Sequence, residues 1–414
     1  MLDPNIIRAN PELIEKTLKR RGWQADVRRL QALHEQYRRT LQSVEKSRAE
    51  IKERSKTKTA EANLKILRAD KMQLKKKEKT LERLKIELEA ALKELPNLLK
   101  DDVPDGRGES DNIVLRTVGE PPRFSFSAKD YLTIAAKHDL IDLERAAKVS
   151  GSRFYYLKNE AALLSLALVH YGLDIAISEG FAPVLPPVLI GEEAMSGMGY
   201  LEHGEDKEIY HLPKDNLYLV GTSEQSIGPM HMGEIIDGAR LPLRYVAFST
   251  CFRREAGSYG KDTKGILRVH QFDKLEMFSI TTPEQSEQEH EYLLSLQEKF
   301  VKGLGLPYRV VKLCAGDLGG PSARTYDIET WIPSQGRYRE THSTSTTTDF
   351  QSRRLHIRYR QTGGSAALVH MLNGTMAAVN RPLIAILECG QRADGTVDLP
   401  PVLQPYLFGK TRIG

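Results

Sequence analysis

Apolar residues recur every seven positions in the N-terminal quarter of this 414-residue chain, and this repeat constrains its fold more than any other feature. One run contains Leu30, Tyr37, Val44 and Ile51, with Leu33 and Leu41 on the same stripe. A second run contains Leu67, Leu74, Leu81, Leu88 and Leu95, with Leu64, Leu84 and Leu92 alongside. A seven-residue apolar repeat is typical of helices that pack along a narrow seam. We therefore predict an antiparallel coiled-coil hairpin over about 26–95, connected at 55–59 and ended by Pro96.

The positive charge of the chain is concentrated in the same region. The whole chain carries 60 Lys and Arg against 55 Asp and Glu, a net charge of +5. Residues 1–110 hold 27 basic and 19 acidic residues, whereas residues 111–414 hold 33 and 36. A basic helical rod indicates a polyanion as its partner. Composition alone favours the alternative of a solvated helical face.

The rest of the chain has the pattern of a mixed α+β domain. Strand-like runs follow one another instead of alternating strictly with helices, which indicates a largely antiparallel sheet with helices packed on it. We predict helices at about 1–20, 128–138, 159–179 and 284–303, and strands at 217–220, 244–250, 274–280, 308–313, 326–332 and 337–347. The predicted division is a helical domain at 1–100, a linker rich in Gly, Pro and acids at 101–126, and the larger domain at 127–414.

Several classes of protein are disfavoured by what the sequence lacks. It contains no GxxxxGK[ST], GxGxxG or HExxH motif, so a P-loop, a Rossmann turn and a zincin site are not expected. Its three cysteines are widely separated, which favours a reducing compartment over a disulfide framework or a zinc site. No secretory signal and no apolar run of about 20 residues is evident, so we predict a cytoplasmic protein that is not inserted in a membrane.

Three stretches contain residues suited to nucleotide chemistry. In 250–277, strand alternation would place Arg253 and Glu255 on one face, with Arg268 and Glu276 on or near the returning strand. Arginine suits bidentate phosphate binding, and a neighbouring carboxylate can accept from an amine. The alternative is a surface hairpin with ordinary ion pairs.

The other two stretches place acids and an arginine on predicted strands and a helix. In 337–360, Glu340 and Ser343 lie near the middle of a polar strand and could hold a divalent cation, although a Thr-rich edge strand explains the pattern as well. In 368–391, an apolar strand is predicted to turn through 373–375 into a helix. Arg381 would lie early in that helix, against the local dipole, where it could bind an anion or be an ordinary exposed arginine.

Together these stretches resemble the signature motifs of class II aminoacyl-tRNA synthetases. Motif 2 is matched by FRREAG and the returning RVHQFDKLE, motif 3 by NGTMAAVNRPLIAILE, and motif 1, at the dimer interface in that family, by GFAPVLPPVLI at 180–190. Further matches are VGTSEQ at 220–225, ETHSTSTTTDFQSRR and the tail LPPVLQPYL. Over essentially its whole length the chain is similar to seryl-tRNA synthetases.

The resemblance implies a fold, a reaction and a set of roles. The fold is a class II antiparallel sheet with flanking helices, preceded by a coiled-coil arm that binds the tRNA of serine, with selenocysteine tRNA left open. Serine is activated with ATP and Mg²⁺ and transferred to the terminal adenosine, and the enzyme is a homodimer. Catalysis is implied for Arg253, Glu276 and Arg381. The implied ATP ligands are Arg253, Glu255, Arg268, Phe272, Glu340, Ser343 and Arg381, of which Glu340 and Ser343 hold the metal. The implied serine ligands are Thr222, Glu224, Arg253, Glu276, Asn373 and Thr375.

One stretch departs from the family pattern. Met376 and Asn380 stand where many bacterial members have glycine, which affects the close backbone packing expected near the pocket. Two other functions remain open: a related ligase that loads serine onto a carrier other than tRNA, and a non-catalytic RNA-binding scaffold. The basic hairpin disfavours the first, and the matching charged residues Arg253, Glu255 and Glu276 disfavour the second.

Overall fold

The computed structural model of the chain describes residues 1–56, 61–202, 205–256 and 264–414. These residues form two compact units, Met1–Leu98 and Leu99–Gly414, which we call the N-terminal and C-terminal units. The predicted linker at 101–126 therefore belongs to the C-terminal unit, and it contains a six-residue strand, Ile113–Val118.

The N-terminal unit is helical. Its helices are α1 (Ile6–Ala9), α2 (Pro11–Arg21), α3 (Val27–Arg54) and α4 (Glu61–Lys93). Asn10 and Asp26 cap α2 and α3, since their side-chain oxygens accept from the backbone N–H groups of Leu13 and Arg29 at 3.1 and 2.9 Å.

The predicted hairpin is formed by α3 and α4. Arg48 contacts Glu78 at 2.8 Å, and Arg54 contacts Asp70 at 2.6 Å, so one helix advances as the other returns. Near its base the seam buries Leu30, Leu33, Leu84, Leu88, Leu92 and Leu95. Towards its tip Leu67 and Leu74 are only half-buried, because two helices alone cannot enclose a seam. The predicted connection at 55–59 lies partly outside the described residues, as does the side chain of Leu64.

The C-terminal unit is the predicted α+β body. Its helices are α5 (Tyr131–Lys137), α6 (Leu143–Ser150), α7 (Asn159–Ser178), α8 (Glu192–Met198), α9 (Glu224–Ile227), α10 (Ser286–Gly303), α11 (Phe350–Leu355) and α12 (Asn380–Cys389). Short 3-10 turns cover Glu109–Asp111, Glu205–Glu208, Gly228–His231, Gly238–Arg240, Pro283–Gln285, Pro333–Gln335 and Pro401–Leu407. The strands are β1 (Ile113–Val118), β2 (Ile141–Asp142), β3 (Tyr156–Leu157), β4 (Ala182–Val184), β5 (Leu189–Gly191), β6 (His211–Leu212), β7 (Leu217–Leu219), β8 (Ile235–Asp237), β9 (Leu243–Phe252), β10 (Gln271–Thr281), β11 (Tyr308–Lys312), β12 (Arg324–Ile332), β13 (Arg337–Thr348), β14 (Arg358–Arg360), β15 (Ala367–Leu368), β16 (His370–Ala378), β17 (Val397–Asp398) and β18 (Arg412–Ile413).

One large sheet organises this unit. Its eight strands lie in the order β1-β11-β12-β13-β16-β10-β9-β4. Every neighbouring pair is antiparallel except β4 and β9, which are parallel. The order brings β13, β16, β10 and β9 together at the centre, although these strands come from segments almost one hundred residues apart in the sequence. The fold class predicted from the sequence is confirmed.

The main core of the unit lies where helices cover this sheet. Gly172 of α7 permits close packing, because a Cβ there would lie 2.7 Å from Leu275 and 2.9 Å from Met376. Met376 is fully buried at a bulge in β16, where Leu275 pairs with Ala377 but Glu276 pairs with Thr375. By length and composition α7 could span a membrane, but Leu164 and Leu168 on it are fully buried in this core. We therefore assign α7 as a core helix.

Candidate active site

One large cavity of about 610 Å³ opens over the centre of the sheet. All twelve site residues implied by the resemblance line it: Thr222, Glu224, Arg253, Glu255, Arg268, Phe272, Glu276, Glu340, Ser343, Asn373, Thr375 and Arg381. These residues span 160 positions of the sequence, and the strand order collects them on one face. The cavity is large enough for a drug-sized ligand.

Arg253 is fixed at the end of β9 by two contacts. Its Nε donates to the carbonyl oxygen of Gly221 at 3.2 Å, and its guanidinium carbon lies 5.3 Å from the centre of the Phe272 ring. The first contact uses one donor edge of the guanidinium, and the second orients its plane. Arg253 can therefore present its remaining N–H groups to an anion in the cavity.

Glu255 and Arg268 are joined across the loop that follows β9. The Nη1 atom of Arg268 lies 3.3 Å from Oε2 of Glu255. Glu255 has a φ of 51°, and β9 ends at Phe252. Both Arg253 and Glu255 therefore lie beyond the strand. The prediction that strand alternation places them on one face is wrong, although a local turn with a left-handed residue brings both to the cavity.

A buried carboxylate pair occupies the part of the cavity lined by β10, β16 and α9. Glu224 is 3% exposed; Oη of Tyr200 donates to its Oε1 at 2.7 Å, and the amide of Asn373 donates to its Oε2. Burial and the charge of Glu276 raise the pKa of Glu224 to about 7. The carboxylate is therefore close to half-protonated at neutral pH.

Glu276 is held by a cation and a hydroxyl. It is 1% exposed, and its Oε2 lies 2.7 Å from Nζ of Lys274 and 3.0 Å from Oγ1 of Thr375. The Thr375 contact follows from sheet register, because Glu276 and Thr375 are directly paired across β10 and β16. The pocket thus offers two carboxylates and one ammonium, a charge balance suited to a cationic ligand.

A further acidic group lies on β13. Glu340 contacts Nη1 of Arg381 at 3.0 Å through Oε1, and its backbone carbonyl accepts from the same nitrogen at 2.9 Å. Desolvation by the cavity walls opposes ionisation of Glu340, whose side chain is 48% exposed, but Arg381 and Arg253 hold the pKa of this carboxyl below its ordinary value. Three positions apart on a regular strand, Glu340 and Ser343 would face opposite sides. A bulge restores them to the same side, since Ile328 pairs with His342 while Glu329 pairs with Glu340.

These oxygens fit a divalent cation. Asp327 is paired with Ser343 across β12 and β13, and its Oδ1 is buried without a hydrogen-bond partner among the described residues. Burial and the nearby charge of Glu340 raise the pKa of Asp327 well above its ordinary value. A cation of the Mg²⁺ type, which prefers carboxylate and hydroxyl oxygens, would relieve both effects. In the described part of the chain no cluster of three His, Cys, Asp or Glu has metal-binding geometry, so water and ligand oxygens would complete the shell.

The prediction of a turn at 373–375 is wrong. Strand β16 runs without interruption from His370 to Ala378, and α12 begins only at Asn380. Gly374 serves close strand packing instead, because a Cβ there would lie 3.1 Å from Oγ1 of Thr344 on β13. Arg381 lies early in α12, as predicted.

Sequence reasoning missed several residues of the site. Lys274 has the same period of two as Phe272 and Glu276 on β10, so its place on the cavity face could have been found. Tyr200 had no such signal, because a non-local contact brings it to Glu224. Neither had Gln297 of α10, whose amide donates to the backbone carbonyls of Ser343 and Thr375 at 2.8 Å each and links two strands of the site.

Comparison with known proteins gives the same assignment for both units. The family model described as "Seryl-tRNA synthetase N-terminal domain" matches residues 1–99, and that of the "tRNA synthetase class II core domain (G, H, P, S and T)" matches residues 209–389. The serine–tRNA ligase of Thermobifida fusca is 45% identical over 98% of this chain and 97% of its own length. That of Acidothermus cellulolyticus is 53% identical over 77% of this chain and 75% of its own length.

Solved structures agree. The crystal structure of seryl-tRNA synthetase from Pyrococcus horikoshii complexed with ATP has a TM-score of 0.93 and 38% identity, and the alignment covers 100% of this chain and 99% of that one. Because the likeness extends over both units in sequence and in fold, this chain belongs to the seryl-tRNA synthetase family and has its serine–tRNA ligase activity.

Proposed function

We propose that the cavity over the central strands is the site where serine is activated and then transferred to tRNA. The observation that carries this proposal is the convergence of all twelve implied residues on one cavity. In the first step a carboxylate oxygen of serine attacks the α-phosphorus of ATP, and pyrophosphate leaves. In the second step a hydroxyl of the terminal adenosine attacks the carbonyl carbon of seryl-adenylate, and AMP leaves.

Three arginines are proposed to neutralise phosphate charge. Arg253 would grip the α-phosphate and the serine carboxylate, because its orientation is already set by Gly221 and Phe272. Arg268 and Arg381 would grip the outer phosphates after exchanging Glu255 and Glu340 for phosphate oxygens. Nucleotidyl transfer needs positioning and charge neutralisation more than a protein nucleophile, and the cavity supplies both.

Adenine is proposed to bind between the motif 2 residues. Phe272 offers a ring face for stacking, and Glu255 offers an acceptor for the exocyclic amine. When ATP binds, the adenine amine would contact Glu255 and an outer phosphate would contact Arg268. The same ligand would therefore replace both halves of the Glu255–Arg268 ion pair.

The serine pocket is proposed to comprise Glu224, Glu276, Asn373, Thr375 and Thr222. When Glu224 is ionised, the pocket holds two carboxylates and Lys274, and the α-ammonium of serine balances their charge, so serine would bind best to the ionised form of Glu224. The serine hydroxyl completes a hydrogen bond that alanine cannot make. A buried polar partner left unpaired costs about 1–3 kcal/mol, which disfavours alanine.

Mg²⁺ is proposed to be held by Glu340 and Ser343, with Asp327 behind Ser343. When bound, the ion would neutralise charge on the phosphate oxygens of ATP. Before ATP binds, Arg381 contacts both the side chain and the backbone carbonyl of Glu340, and its exchange to phosphate oxygens would release the Glu340 carboxylate for the ion.

The basic hairpin of α3 and α4 is proposed to bind the tRNA of serine. On this unit a groove is lined by Arg39, Lys76 and Lys77 together with the hydroxyls of Thr40, Ser43 and Thr80. Lysine and arginine on a rod would contact phosphates and read shape more than bases.

Replacement of Lys75, Lys76 and Lys77 by glutamate should raise the KM for tRNA at least tenfold and leave pyrophosphate exchange unchanged. Unchanged charging of tRNA by this variant would refute the role of the arm.

The protein is proposed to form a homodimer through its C-terminal unit. Leu185, within the motif 1 match, is 83% exposed, and the edge strand β1 exposes Ile113, Val114 and Leu115. Exposed apolar residues and an unpaired strand edge are typical of an interface. Light scattering should give twice the chain mass for the wild type and less for Leu185→Asp. A monomeric wild type would refute the proposal.

Since tRNA charging serves protein synthesis, the proposed compartment is the cytoplasm.

The active-site assignment is tested by Arg253→Ala. Pyrophosphate exchange with serine should fall at least one-hundredfold, because a charge-assisted contact that acts on the reacting phosphate is lost. Arg123, an exposed arginine, provides the matched control as Arg123→Ala. A near-normal exchange rate for Arg253→Ala would refute its role at the α-phosphate.

A further inference from the structure

The backbone of Ile266, on the returning side of the loop after β9, is held by side chains at both of its polar groups. Its N–H donates to Oη of Tyr131 at 2.9 Å, and its carbonyl oxygen accepts from Nδ2 of Asn380 at 3.1 Å. The side chain of Ile266 is fully buried in the main core. A loop residue bound in all three ways is a fixed point, because its displacement would break two buried hydrogen bonds and expose apolar surface.

Asn380 is itself held in place. It is 4% exposed, and its Oδ1 accepts from Oη of Tyr155 at 2.9 Å. This bond fixes which end of the amide faces Ile266, so that the NH₂ group donates to the carbonyl oxygen. Asn380 is the first residue of α12 and precedes Arg381, so the same helix start contacts the loop and carries a proposed phosphate ligand.

Tyr131 is fixed by the other end of the same helix. Its backbone N–H donates to Oε1 of Glu388, near the end of α12, at 3.0 Å. Its hydroxyl also leaves no room for a side chain at Gly265, since a Cβ built there would overlap it, and Gly265 has a φ of +82°. Both ends of α12 thus determine the path of Gly265–Ile266.

We infer that Tyr131 and Asn380 are positioning residues for ATP, which act by anchoring Ile266 and thereby placing Arg268 at the cavity. Arg268 follows the anchor by two residues, so little backbone freedom separates them. The inference rests on the proposed role of Arg268 as a phosphate ligand. In this arrangement the returning side of the loop is set before ATP arrives, and Arg268 exchanges Glu255, which is 3.3 Å away, for a phosphate oxygen.

The test compares Tyr131→Phe and Asn380→Ala with Tyr292→Phe in the full chain. The first two changes each remove one hydrogen bond to Ile266. Tyr292→Phe removes a tyrosine hydroxyl that donates to Glu179 and belongs to a different hydrogen-bond network, which makes it the matched control. Pyrophosphate exchange gives kcat and the KM values for ATP and serine, and hydrogen exchange reports on the amides of residues 264–270.

We expect Tyr131→Phe and Asn380→Ala each to raise the KM for ATP about fivefold, since a lost hydrogen bond costs about 1 kcal/mol. The KM for serine and kcat should stay within twofold of wild type, and the amides of 264–270 should exchange at least tenfold faster. Tyr292→Phe should change the KM for ATP less than twofold. A merely structural role would lower the active fraction, and so kcat, without moving the KM for ATP, and that result would overturn the inference.

Arg268→Ala distinguishes failure of the anchor from failure of the proposed phosphate role of Arg268. If it raises the KM for ATP at least tenfold while the anchor variants do not, the anchor is refuted and the phosphate role of Arg268 stands. If Arg268→Ala leaves the KM for ATP unchanged, the proposed phosphate role fails, and the inference fails with it.

Discussion

Replacement of Glu224 by glutamine is expected to make the enzyme more stable at pH 8 while it impairs serine activation. Glu224 is 3% exposed and has its pKa raised to about 7, from an ordinary value of 4.5, by burial and by Glu276. Because the folded state holds this proton more tightly than the unfolded state, the contribution of Glu224 to stability is greatest below pH 4.5 and falls as pH rises towards 7. The shift corresponds to a cost of about 3 kcal/mol at pH 8.

Glutamine removes the buried charge but offers only one acceptor. Tyr200 and Asn373 both donate to the carboxylate of Glu224, so one of the two donors loses its partner. The lost hydrogen bond cancels about 1 kcal/mol of the stability gained by removing the charge. The free energy of unfolding at pH 8 therefore rises by about 2 kcal/mol. For a unit the size of Leu99–Gly414 this corresponds to a rise in Tm of about 3 °C.

The assay is thermal unfolding of wild type and Glu224→Gln at pH 8 and pH 5, with Glu120→Gln as the exposed control. At pH 5 the cost of the raised pKa falls to about 1 kcal/mol, which is as large as the cost of the lost hydrogen bond, so the difference in Tm should nearly vanish. Pyrophosphate exchange with serine should be at least tenfold lower in Glu224→Gln at pH 8. A variant that is less stable than wild type at pH 8, or a difference in Tm that does not depend on pH, would refute the reasoning.

Three other outcomes are expected from the same structure. The KM for serine in pyrophosphate exchange should rise about fivefold from pH 7 to pH 6 as Glu224 gains its proton, and a constant value would contradict the need for its carboxylate. Lys274→Met should destabilise the fold by about 3 kcal/mol in urea unfolding, because Glu276 is left buried without its cation, and an unchanged midpoint would contradict this. Burial raises the pKa of the Cys251 thiol, and that of Cys389 to about 12, so neither should react with a thiol reagent within minutes until the chain unfolds. Rapid labelling of the native protein would contradict this expectation.

The elements of the fold were predictable where one local pattern extends over several turns or pleats. The leucine repeat predicts α3 and α4, and the strand-like runs predict β9 to β13 to within three residues. Strand β1 was missed because Ile113–Val118 lies on an edge, where apolar side chains are exposed and the pattern of a half-buried strand is absent. The strand order could not be predicted from the sequence pattern either. Strand β16 lies between β13 and β10 because of long-range contacts that no local pattern encodes.

The details of strand ends and bulges were not predictable from residue types. Gly374 was interpreted as a turn residue, yet its role is to let β16 approach β13. The bulges at Glu276 and at Glu340 decide which side chains reach the cavity, and an inserted residue in a strand has no distinctive composition. The helix predicted at about 284–303 illustrates the same limit, because Pro283–Gln285 form a 3-10 turn and α10 begins only at Ser286.

The departure of Asn380 from glycine is best understood through its contacts. A glycine at this position would leave the carbonyl oxygen of Ile266 and the hydroxyl of Tyr155 without the partner that Asn380 supplies to each. Glycine would let the backbone of α12 approach its neighbours closely. The Asn380 amide instead joins α12 to Ile266 and Tyr155 through two hydrogen bonds. Met376, the other departure, is fully buried and packs where Gly172 gives α7 room. Met376 lies behind the cavity, whereas Asn380 lines it beside Arg381 without adding charge. The two residues therefore change how the strands and loop are supported, while Arg253, Glu276 and Arg381 keep their places.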